Sequence, residues 1–175
     1  MNSQELRALQ APIKSLYKEQ PSAALFTLRA EGNLGEGVTC NVQTGKALVQ
    51  AGLHPATGGT GLNVCSGEML LEALVACAGV TLNSVATALG IEITNGIVRA
   101  EGDLDFRGTL GVMKDVPVGF QNIRVRFELE TDASAEQLDT LLRLTERYCV
   151  VYQTLRQPPQ MSLTRSLASN PASLM

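Results

Sequence analysis

Four cysteines, at positions 40, 65, 77 and 149, and a single histidine, His54, are the side chains here best suited to covalent or metal chemistry. A thiol acts as nucleophile or redox centre only as its thiolate. At the reference pKa of about 8.5 only about 3% is ionised at neutral pH, against roughly 90% at a pKa of about 6, so something must stabilise the anion. Cys149 has local help. Arg147 stands just before it, and the break in ERYCVVYQTL places it at the start of a new helix. Cys77 lies in the middle of an apolar run and needs a cation or a hydrogen-bond donor from elsewhere in the fold. Local electrostatics therefore ranks Cys149 as the better-placed thiolate. Two distant thiols that meet can also cycle through a sulfenic acid and a disulfide. A zinc site is the rival use, but the spacings are scattered, no Cys-x-x-Cys occurs and the lone histidine lies in a loop, so no metal is expected. Cys40 in a predicted strand and Cys65 at a helix entrance read as structural.

The element that must position Cys77 is the run CSGEMLLEALVACAGVTLNSVATALG at 65–90. Ser66 can cap a helix, Glu68 sits in its first turn, and Gly90 is the expected left-handed stop. Nearly every face is apolar or small, which predicts a helix enclosed by other elements. Ala73, Cys77, Thr81 and Ser84 form a row of small side chains beside the thiol, where a second helix or a small ligand can approach closely. Glu72 and Glu92 at the ends of the uncharged stretch, its polar Thr81, Asn83, Ser84 and Thr87, and the absence of basic flanks argue against a membrane span.

Around this helix the chain reads as alternating strands and helices. Residues 4–19 predict an amphipathic arm, and 23–30, 37–43 and 46–50 predict three strands of an antiparallel meander. The loop GLHPATGGTGLN carries His54 to the mouth of the helix, a place suited to substrate contacts or simply to connection. Residues 91–106 predict a strand or hairpin. In 122–130, Ile123, Val125, Phe127 and Leu129 alternate with Arg124, Arg126, Glu128 and Glu130, the pattern of a half-buried strand. Ser134 and Gln137 form a capping box for a helix ending near Tyr148. A short helix follows Cys149, Pro158 and Pro159 close it, and 161–167 predicts a last strand. The division expected is an arm at 1–21, one domain at 22–167 and a frayed tail at 168–175.

The 45% hydrophobic content with 4% aromatics predicts an aliphatic core, and a net charge of −3 without a basic run offers nothing to nucleic acid. MNSQELRALQ shows no basic leader followed by an apolar segment, so the expected compartment is the cytoplasm.

Three segments, GGTGLNVCSGEMLLEALVACAGVTL, GDLDFRGTLGVMKDVPVGF and ERYCVVYQTL, resemble in order and spacing the OsmC/Ohr family, the osmotically induced and organic hydroperoxide resistance proteins. The resemblance implies an α+β OsmC-like fold, with antiparallel sheets wrapped around a long central cysteine-bearing helix in an intertwined homodimer whose active sites lie between subunits. No cofactor is expected. The resemblance assigns Cys77 the peroxidatic role, with attack on an organic hydroperoxide, and Cys149 the resolving role, with a dithiol such as a lipoylated protein as reductant. This reverses the ranking from local electrostatics. Family peroxidases also carry an activating Arg in the early strand region, held by a Glu. The turn EGNLGEG has no Arg, leaving Arg29 as the substitute. Glu68 is the nearest match to the Glu. Standing nine residues before Cys77, it would lie on the opposite helix face, about 13 Å away along the axis. Thr81 and His54 are the remaining substrate-binding candidates. The alternative function is a non-catalytic binding protein of the same fold for a small apolar or thiol-bearing ligand.

Overall fold

The computed structural model describes residues 48–165 except 112, the backbone of 32–34 and 39–43, and residues 2–5, 8, 11 and 19. The predicted strand at 23–30, Arg29, most of the arm at 4–19 and the tail at 168–175 lie outside the described residues.

Strands β1 (Gly32–Leu34), β2 (Thr39–Gln43) and β3 (Leu48–Gly52) form an antiparallel meander, and β4 (Val64–Cys65) adds to β3 in parallel. β2 and β3 fall on the strands predicted at 37–43 and 46–50, whereas β1 lies in the segment EGNLGEG, where the sequence predicts a turn. Between β3 and β4 the glycine-rich loop makes a 3-10 turn at Pro55–Thr57. His54 Nδ1 caps it by accepting the Ala56 N–H at 3.1 Å, and Gly58 ends it at φ 92°.

Helix α1 (Ser66–Leu89) then runs for 24 residues to Gly90, whose φ of 70° lets its N–H reach back to the last carbonyls, at Ala86 and Thr87. The structure shifts its start by one position. Cys65, not Ser66, is the capping residue, and its side chain makes no capping hydrogen bond.

Strands β5 (Asn95–Asp103) and β6 (Asn122–Glu130) pair antiparallel, with Val98 opposite Phe127 and Ala100 opposite Val125. Between them lies a short helix, α2 (Phe106–Thr109), inside the glycine-spaced segment. The alternation read in β6 is present, with Ile123, Val125, Phe127 and Leu129 half-buried and the charged residues outside. Helix α3 (Ala135–Tyr148) opens on the Ser134–Gln137 capping box, and α4 (Val150–Arg156) begins immediately after Cys149. Residues 161–165 form no strand. Met161 and Leu163 are 91% and 100% exposed and pair with no strand among the described residues.

Why α1 sits where it does follows from one row of its residues. Leu74, Ala78, Leu82 and Ala86 recur at four-residue spacing and are all buried. Leu82 and Ala86 pack with Ile91 and Leu141, while Leu74 and Ala78 pack with Cys149, and Phe127 of β6 touches both groups. The core is aliphatic, as the composition requires. The opposite face of α1 is not enclosed by the described residues of one chain, contrary to expectation: Ala73, Ala76 and Asn83 are exposed, and Leu70 and Val80 are 38% and 72% exposed. Among the described residues α1 alone is long and apolar enough to cross a membrane, but its buried row makes it the core helix of this fold.

Candidate active site

Cys77 reaches the site from the middle of α1, and Cys149 from the one-residue break between α3 and α4. The break exists because Cys149 leaves helical geometry at φ −72°, ψ 106°, closing α3 through its N–H to the Thr145 carbonyl and opening α4 through its own carbonyl, which accepts from the Gln153 N–H. It is only 1% exposed, packed with Leu74 and Ala78, whereas Cys77 is half-buried. Both thiols are free, and they hydrogen-bond to each other.

The surroundings split their acidities. Burial, the largest influence on Cys77, pushes its thiol up. Hydrogen bonds from the Val151 N–H, from Cys149, from the Val150 N–H and from the Thr81 hydroxyl outweigh it and bring the thiol below its ordinary value. Burial is also the largest influence on Cys149. There it wins, reinforced by the neighbouring Cys77 sulfur, and the thiol ends above its ordinary value despite the nearby Tyr152 and Val151 amides.

The ranking from local electrostatics is thereby corrected. The N-terminus of α4 exists where the sequence places it, but its Val150 amide serves Cys77 on a different helix and its Val151 amide is shared by both sulfurs. Cys149 is itself the capping residue, and its side chain makes no capping hydrogen bond. Arg147, expected to favour a Cys149 thiolate, lies over the exposed ring of Tyr148 at 5.8 Å. The backbone amides of Val150 and Val151 are the functional groups that side-chain reading missed. The signal for them is the helix start after Cys149.

Thr81, one turn after Cys77, takes part as a hydroxyl donor. Glu68 and His54 do not meet Cys77 within the chain. Together with Cys65, Asp103, Phe106 and Phe120 they line a separate cavity of about 470 Å³ at the N-terminal end of α1, where the His54 ring stacks on Phe106 at 5.0 Å. Because α1 starts at Ser66, Glu68 belongs to its first turn, about two and a half turns before Cys77 and so on the opposite face. A largely apolar cavity of about 210 Å³ reaches Cys149, between α1, β6, α3 and α4. Among the described residues no group of three or more His, Cys, Asp or Glu is placed to hold a metal ion.

Residues 59–164 match the family model described as OsmC-like protein. No curated protein matches the sequence. Among solved structures, an OsmC-like protein from Mycoplasma pneumoniae superposes with TM-score 0.63 at 18% identity, covering 76% of this chain and 89% of that one. An organic hydroperoxide resistance protein from Elizabethkingia anophelis gives TM-score 0.62 at 15% identity, covering 77% and 91%. An organic hydroperoxide resistance protein OsmC from Legionella pneumophila gives 0.60 at 17%, covering 77% and 92%. At these identities the likeness concerns the fold, and the matched span takes in α1, the β5–β6 ladder and both helices that meet at Cys149. The chain belongs to the OsmC-like protein family.

Proposed function

We propose that this protein reduces organic hydroperoxides, with Cys77 as the attacking thiolate and Cys149 as the resolving thiol. The observation that carries the reading is the contact between an acidified Cys77 and a buried, protonated Cys149 at the start of α4. The names of the Legionella and Elizabethkingia relatives point the same way.

Cys77 sulfur attacks the O–O bond of the hydroperoxide, the bond breaks, and with one proton taken up an alcohol leaves and Cys77 becomes a sulfenic acid. Cys149 then displaces that hydroxyl as water, forming a disulfide. An external dithiol, of which a lipoyl group is one example, returns both cysteines to thiols and is itself oxidised to a disulfide. The Val150 and Val151 amides have two uses: they hold the Cys77 anion before attack, and they hold it again when the disulfide opens. The apolar residues Ala73, Ala76 and Val80 flanking Cys77 on the helix surface favour alkyl or aryl peroxides over hydrogen peroxide. The uncovered face of α1 is assigned to a second copy of the chain in a homodimer, and the free thiols suit the reducing cytoplasm. Arg29, Glu68 and His54 have no assigned step in one chain's chemistry.

The test is consumption of cumene hydroperoxide with a dithiol by wild type and by Cys77→Ser. Turnover lost in the variant is expected. Equal background rates in both would leave the non-catalytic binding protein as the function.

A further inference from the structure

We propose that the reducing dithiol enters through the apolar cavity beside α4 and attacks Cys149, not Cys77, in the disulfide state. The proposal rests on the peroxidase reading and adds the direction and chemistry of its second half. Three observations support it.

The cavity of about 210 Å³ is walled by Ala78, Val125, Phe127, Leu142 and Tyr152 and reaches Cys149; Cys77 is not part of its lining. Cys149 is 1% exposed, so this cavity is its approach, whereas Cys77 is half-buried on the side of α1 that carries Ala73, Ala76 and Val80. The two sulfurs of one disulfide therefore have different neighbours.

The cavity also selects the reductant. Its volume is below the roughly 300–1,000 Å³ of sites that enclose a whole drug-sized ligand, which suits a slender aliphatic arm ending in thiols. Of its lining residues Glu146 is already paired with Arg156 and Leu142 is 38% exposed, so the described lining offers apolar surface and no cation for an anionic thiol.

The leaving group is the third observation. When a dithiol sulfur bonds to Cys149, the Cys77–Cys149 bond breaks and its electron pair departs on Cys77, where the Val151 and Val150 amides are already aimed. Thiol–disulfide exchange runs faster when the displaced sulfur is the more stable anion. The second thiol of the reductant then attacks the reductant sulfur bound to Cys149. Cys149 leaves as a thiol, the reductant closes its own disulfide, and of the two protons it gives up one goes to Cys149 and one to solvent.

The experiment oxidises the whole protein with diamide, so that the disulfide forms without peroxide. A single-thiol probe, a medium-chain ω-mercaptoalkanamide, is added, the reaction is stopped with acid, free thiols are alkylated and peptides are mapped by mass spectrometry. The expected result is a probe adduct on Cys149 with Cys77 alkylated, formed at least about tenfold faster than the corresponding glutathione adduct, because burial of a few methylenes is worth that factor. An adduct on Cys77, no adduct, or glutathione reacting as fast as the probe overturns the proposal. Peroxide turnover is read separately by the consumption assay, so failure of one is distinguishable from failure of the other.

Discussion

The Cys77 thiol hydrogen-bonds to Cys149 at the point where α4 begins, and the contact separates two chemically identical side chains into an acidic one and a protected one. Burial raises both. What divides them is the balance of donors: the Val150 amide and the Thr81 hydroxyl act on Cys77 alone, the Val151 amide acts on both sulfurs, and Cys77 raises Cys149.

Val150→Pro tests those amides with little damage to the fold. Val150 is the first residue of α4, where proline is favoured, and Cys149 at φ −72°, ψ 106° already has the extended conformation required before a proline. The substitution deletes one donor to Cys77. Alkylation of Cys77 at neutral pH should fall roughly three- to tenfold, the range set by a net hydrogen-bond contribution of about 0.5–1.5 kcal/mol, with the midpoint of its pH–rate profile moving up. An unchanged profile would mean that the amides do not stabilise the anion.

The two thiols should also give opposite pH dependences of stability. Cys77 has its folded-state pKa depressed, so its contribution is present above the ordinary thiol pKa and is lost as pH falls through the folded value. Cys149 has its pKa raised, so its contribution is present below the ordinary value and is lost as pH rises through the folded one. In urea unfolding from neutral to alkaline pH, Cys149→Ser should lose less stability than wild type. Cys77→Ser should lose more, since it forfeits the compensating gain.

Core and cap substitutions should separate stability from reactivity. Leu74 is 1% exposed and packs directly on Cys149, so Leu74→Ala should cost about 2–5 kcal/mol and speed Cys149 alkylation as the cluster loosens. Ser134→Ala removes the hydroxyl that accepts the Gln137 N–H at 3.3 Å. It should cost about 1 kcal/mol with both thiol rates unchanged. Denaturant midpoints and alkylation rates on the same samples read both effects.

If a second copy covers α1, a charge there should prevent it. Val80 is 72% exposed in the single chain, and Val80→Asp should shift the protein from dimer to monomer in light scattering. A wild type that is monomeric at micromolar concentration would contradict the homodimer.

Elements with local signals are legible in the amino-acid sequence itself. The apolar run stopped by Gly90, the alternation of Ile123 to Leu129 and the Ser134–Gln137 box each carry their geometry within a few residues. The site is half legible, because both cysteines and the helix start after Cys149 can be read locally. The beneficiary of that helix start cannot, since Cys77 comes from a distant element and the donors are backbone groups that no residue type reveals. Residues 161–165 depart from expectation for a related reason: MSLTRSL has strand-like composition, yet Met161 and Leu163 have no partner strand among the described residues. The capping position of Cys65 illustrates the usual slip of one residue at a helix end.

The most direct measurement is peptide mapping by mass spectrometry after one equivalent of cumene hydroperoxide, with the folded protein and no reductant. A Cys77–Cys149 crosslink is expected, passing through a sulfenic acid on Cys77 that Cys149→Ser preserves for trapping. Both thiols remaining free, or oxidation confined to Cys65 or Cys40, would contradict the assigned roles of the pair.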